Sequence, residues 1–74
     1  TKLAARMERP NLSDREFEVL SLMAKGKNNK AIASDLNITE NTVKFHVTNV
    51  MLKLGASDRT HAVVNALRQG IIKL

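Results

Sequence analysis

The sequence predicts an all-α fold, a compact four-helix domain, and three observations predict it. Apolar residues recur at three- and four-residue spacing, and no stretch sustains the two-residue alternation of a half-buried strand. Ser, Asn, Thr or Asp stands before each periodic run, with Gly or Asn behind it. At 74 residues there is room for one core. Hydrophobic residues make up 43% and charged residues 26%, a globular rather than a disordered balance. The only aromatic residues are two phenylalanines, so the expected core is aliphatic.

The elements follow in order. Residues 1–11 read as a linker or frayed tail from a missing upstream domain, because Pro10 discourages helix at Arg9 and Thr1 stands where Met would begin a chain. An ordinary unstructured terminus fits these residues equally well. Residues 12–74 form the expected folded unit. Ser13-Asp14-Arg15-Glu16 is a capping box that opens a first helix at about 13–25, with Phe17, Leu20 and Ala24 as its stripe, Val19 and Met23 beside them, and Gly26 as its stop. The Asn28-Asn29 pair caps a second helix at about 29–36, with Ile32, Ala33 and Leu36 inward and Asn37 tolerating positive φ at its end. Thr39 caps a third at about 40–54, which Gly55 stops. Ser57 or Asp58 caps a fourth at about 58–69, ended by Gly70, with Ala62, Val63, Ala66 and Leu67 inward and Ile71 and Ile72 joining them.

The third helix has two unlike faces. With about 100° per residue and Val43 at the origin, Val47, Val50, Met51 and Leu54 fall within roughly 80° of it. Opposite lie Asn41, Lys44, Phe45, Thr48, Asn49 and Leu52. A plain solvated face carries Glu, Lys and Gln. This one suits base edges: an Asn amide matches adenine, Lys matches guanine, and an apolar ring sits against a thymine methyl. From the face alone a second reading stays open, in which Phe45 tucks under residues 1–12 and the rest is surface.

The connection before that helix bears on the choice. A short helix reaches a long one through a very tight turn, small Ala33 lets the axes approach, and Ile38 and Val43 seal the corner. That is helix-turn-helix geometry over about 29–48, in which the second helix enters the major groove N-terminal end first. Asn29, Lys30 and Thr42 are then placed to donate to phosphates. Twelve Lys and Arg against seven Asp and Glu give a net charge of +5, which favours nucleic acid, acidic protein or anionic lipid without choosing among them.

Other chemistry finds little support. There is no cysteine, so disulfides and thiolate metal ligation are out. His46 and His61 lack carboxylates at ligand spacing, the serines lack a partnered base, and the glycines stand singly rather than in a phosphate loop. Glu16 and Glu18 point to different helix faces. We expect no enzyme activity, no metal and no cofactor. The longest apolar runs are three residues, no signal peptide opens the chain, and no helix sets a Lys/Arg face against bulky apolar residues. The expected setting is the cytoplasm, with no membrane partner.

The stretches LSDREFEVL (12–20), GKNNKAIASDLNI (26–38), TVKFH (42–46), KLG (53–55) and RTHAV (59–63) resemble, in order and spacing, the DNA-binding domain of LuxR/NarL-type bacterial transcription regulators. The resemblance covers about residues 12–72. It implies a four-helix domain that binds double-stranded DNA as a dimer, the output domain of a two-component response regulator, held at the bacterial nucleoid when bound, with RNA polymerase as a further partner. It places Lys44 and Phe45 at base-contacting positions, with Asn41, Thr48 and Asn49 beside them. Lys30, Thr42 and His46 match positions near phosphates, alongside Asn29 and Thr39. Thr48 stands where many members have Lys or Arg, and Ala31 where Glu is usual. It also implies a two-fold contact on the fourth helix through His61, Val64, Asn65 and Arg68, weak in the isolated domain because the apolar area is small. The rival reading is a helical protein-interaction module that takes an acidic helix in the same groove without binding DNA.

Overall fold

A computed structural model describes residues 11–73. Over them run four helices, α1 (Asp14–Ala24), α2 (Asn29–Leu36), α3 (Glu40–Leu54) and α4 (Arg59–Arg68), and the described residues contain no strand. The fold is all-α, as expected. The proposed linker or tail at 1–11 lies outside the described residues, save Asn11.

Local chemistry sets each boundary. Ser13 Oγ accepts from the Glu16 amide at 3.1 Å while Glu16 Oε1 accepts from the Ser13 amide at 2.9 Å, a closed capping box. Of the two asparagines before α2, Asn28 is the cap, its Oδ1 accepting from the Ala31 amide at 2.9 Å. Asn37 takes the left-handed conformation at φ 58° and lets the chain reverse, with the Ile38 amide bonded back to the Ala33 carbonyl at 3.0 Å. Three residues later α3 has begun, capped by Thr39 Oγ1 on the Thr42 amide at 3.1 Å. Asp58, rather than Ser57, caps α4 by accepting from the His61 amide at 2.8 Å.

Helix α3 is the spine, packing on α1, α2 and α4 alike. Its Val43 and Val50 are fully buried together with Val19, Leu20, Ile32, Ala62 and Ala66, and Val47 and Leu54 are nearly so. Fully burying a Leu, Ile or Val contributes about 1.5–3 kcal/mol each, so this aliphatic set fixes how α3 is rotated. Ala33 is buried and lets α2 lie close to α3, while Ile38 is half-buried at the corner.

Two inward stripes differ from expectation. In α1 the buried set is Val19, Leu20, Met23 and the carboxylate residue Glu16, while Phe17 and Ala24 are half-buried. Val19 and Leu20 are fully buried and set the rotation of α1, and on the same side Glu16 is met by Lys53 Nζ, from the last turn of α3, 2.7 Å from its Oε1. In α4, Ala62 and Ala66 are buried with Ile71 and Ile72 just beyond, and Val63 and Leu67 are half-buried.

Candidate nucleic-acid interface

Because Val43 and Val50 are locked inside, the opposite side of α3 must face outward. Asn41, Lys44, Phe45 and Thr48 are exposed and Asn49 is half-buried. Phe45 is 63% exposed and Leu52, seven residues on along the same side, is 73% exposed. The ring is not core. Of the tail under which the rival reading placed it, residues 1–10 lie outside the described residues. Three ion pairs form among the described residues, Arg15–Glu18, Lys27–Asp35 and Lys53–Glu16, and neither Lys30 nor Lys44 belongs to one.

The phosphate-side candidates are less uniform. Lys30 is exposed beside the start of α2. Thr39 is committed as the α3 cap, and its hydroxyl also lies 2.9 Å from that of half-buried Thr42. His46 is half-buried and meets Phe45 edge-on, ring centroids 5.7 Å apart at 64°. Its Nδ1 is buried with no hydrogen-bond partner. Asn29 is half-buried, and its Oδ1 accepts from Arg59 Nη1.

Sequence reasoning gave no role to Arg59 or Lys53, which join elements about thirty residues apart or more. Arg59 also donates through Nη2 to the Lys27 carbonyl at 3.0 Å, and Lys53 donates to the Asn11 carbonyl at 2.9 Å. The signal for both was only their charge. An open groove between the starts of α2 and α4 is lined by Lys27, Asn28, Asn29, Lys30, Arg59 and Thr60 among others.

The face of α4 singled out by spacing is partly spent on the fold itself. His61 and Arg68 are exposed and Val64 is 38% exposed. Asn65, however, donates through Nδ2 to the Leu54 carbonyl at 3.1 Å, closing the C-terminal end of α3, and the His61 Nδ1 accepts from the Ser57 amide at 3.1 Å. Asn65 is therefore turned toward α3 and does not stand beside Val64 as an outward polar group.

The Glu16 carboxyl is displaced from its ordinary value. Burial pushes the Glu16 carboxyl upward, but the hydrogen bond from Lys53, those at Ser13 and the Lys53 charge outweigh it and hold the group below the ordinary glutamate value. No cluster of three or more metal-ligating side chains occurs among the described residues, and no helix there is long and apolar enough to cross a membrane.

The family described as bacterial regulatory proteins, luxR family, matches residues 10–66. The transcriptional regulatory protein LiaR of Bacillus subtilis (strain 168) is 50% identical over 62 residues, covering 84% of this chain and 29% of its own length. The response regulator VraR of Staphylococcus aureus is 48% identical over 62 residues, covering 84% of this chain and 30% of its own. The chain thus spans about three tenths of the length of the curated relatives it matches. Among solved structures, the transcription factor GerE superposes with a TM-score of 0.80 at 37% identity, over 88% of this chain and 97% of its own.

Proposed function

The chain belongs to the LuxR family of bacterial regulatory proteins, and on that premise we propose that it is the sequence-specific DNA-binding part of a transcription regulator, with α3 as the helix that enters the major groove. The observation that carries this reading is the outward side of α3. Lys44, Phe45 and Thr48 stand exposed directly across the helix from fully buried Val43 and Val50, on the second of two helices joined by a left-handed turn.

Asn41, Lys44, Phe45, Thr48 and Asn49 read base edges in this account. Lys30 neutralises a phosphate, and Asn29, Thr39, Thr42 and His46 donate around it. Residues 12–74 act as one domain, with 29–48 as its helix-turn-helix. Two copies occupy half-sites about 10 base pairs apart, held through His61, Val64 and Arg68 of α4, while Asn65 serves α3. In this account the domain is the output part of a two-component response regulator, as the likeness to VraR supports. The assembly works in the cytoplasm at the nucleoid, with RNA polymerase as its further partner and no cofactor.

Selecting bound duplexes from a random pool, then titrating the chain on the selected site in rising salt, tests the proposal. We expect a recurring sequence and an affinity that falls linearly in logarithmic coordinates, as counterion release demands. A pool that yields no preferred sequence overturns it.

A further inference from the structure

We propose that Arg59 is a positioning residue which fixes the side-chain amide of Asn29 with its N–H groups outward, toward a phosphate oxygen, and thereby ties the start of α4 to the phosphate-facing start of α2. This rests on the DNA-binding reading above.

The two residues open their helices and lie thirty positions apart in the chain. Arg59 Nη1 donates to Asn29 Oδ1, and Nη2 of the same guanidinium donates to the Lys27 carbonyl at 3.0 Å. A guanidinium carries five N–H donors and no acceptor, so the only part of an amide it can hold is the oxygen. The orientation of an asparagine amide, usually open to a flip, is here decided by chemistry. Asn29 Nδ2 must then face the other way. It has no hydrogen-bond partner among the described residues, and half-buried Asn29 lines the open groove at the starts of α2 and α4.

The second prong makes the fixing firm. With Nη2 on a main-chain carbonyl, the guanidinium plane cannot swing to follow the amide. The loop beneath is held too, by Asn28 Oδ1 on the Ala31 amide at 2.9 Å and by Lys27 Nζ on Asp35 Oδ2 at 2.7 Å. Lys30 beside it supplies charge on a flexible stem, without direction. Asn29 supplies direction without charge. Because Arg59 begins α4, any shift of the helix bearing His61, Val64 and Arg68 also moves the Asn29 donor.

A double-mutant cycle in DNA affinity, on a duplex selected by the unaltered chain, tests this. Asn29→Ala is expected to weaken binding about tenfold, the size of one hydrogen bond to a charged group. Arg59→Lys keeps the charge but loses the planar fork, and is expected to weaken binding by a similar factor. The double variant should be within about twofold of either single one, because both remove the same contact. In Arg59→Met the slope of affinity against salt should stay as in the unaltered chain.

Losses that multiply to about a hundredfold in the double variant overturn the proposal. So does wild-type affinity in Arg59→Lys, or a salt slope shallower by about 0.9 in Arg59→Met, which marks Arg59 as a phosphate ligand itself. A merely structural Arg59 would lower the melting temperature with no coupling to Asn29 in affinity, and that too overturns it. If the unaltered chain selects no duplex, the DNA-binding reading fails and takes this inference with it. If it selects one and the losses multiply, this inference alone fails.

Discussion

The two ends of α3 do opposite jobs. Toward its start, Lys44, Phe45 and Thr48 are exposed and Lys44 belongs to no ion pair among the described residues. Toward its end, Lys53 is bonded to Glu16 and to the Asn11 carbonyl, and the Leu54 carbonyl is closed by Asn65. Both ends carry a lysine, and only one lysine is available to a partner. The helix is anchored on its inner side along its whole length, from Val43 to Leu54, and the outward side of its first half is what it presents. Exposed charge alone therefore does not mark a binding face; the partners already taken decide it.

The contrast is sharpest at Lys44. Lys44→Ala should cost about 1–3 kcal/mol of specific DNA binding, the range of a good base contact, while the melting temperature stays within a degree or so of the unaltered chain, because an exposed side chain is lost. Titration and thermal unfolding of one sample check both halves; a stability loss with intact binding would invert the assignment.

Damage at the clamped end should show the reverse pattern. Asn65→Ala leaves the Leu54 carbonyl without its donor and should lower stability by about 1 kcal/mol, read from urea midpoints. A variant as stable as the parent but defective in dimerisation would return Asn65 to the outer face.

The Glu16–Lys53 pair predicts a smaller, pH-dependent effect. A carboxyl whose folded value lies below its unfolded one stabilises the fold at neutral pH. That contribution fades as pH drops from about 4.3, the unfolded value, through the lower folded one. Urea unfolding of Glu16→Gln across this acid range should show a flatter loss than the unaltered chain; matching curves would remove the pair from the account.

Smallest of all is Val64→Asp, which should change the isolated chain's stability by less than about 0.5 kcal/mol. Cooperative occupation of paired half-sites should fall while single-site affinity holds. An equal fall on both site types would move the two-fold contact off this helix.

Much of this was legible in the chain because it is local. A cap and its amide partner are three residues apart, so Ser13, Thr39 and Asp58 announce helix starts, and Asn37 and Gly55 announce stops. The outward set on α3 was legible because one buried valine fixes the phase of a whole helix. The burial of Glu16 on α1 was not legible because its partner Lys53 stands 37 residues away, and no periodicity encodes that pairing. The bond from Asn65 was not legible for a similar reason, since a mid-helix asparagine looks like surface until the Leu54 carbonyl is placed beside it. Arg59 and Asn29 meet only once α2 and α4 are each packed on α1 and α3.

The central claim is that the outward side of the first half of α3 is the part that meets DNA. Backbone amide shifts, followed by NMR as a selected duplex is added, test it most directly. The account predicts that the largest changes cluster at 41–49, with 50–54 and α1 nearly still. Large changes along α1 or the end of α3, with 41–49 unmoved, would contradict it.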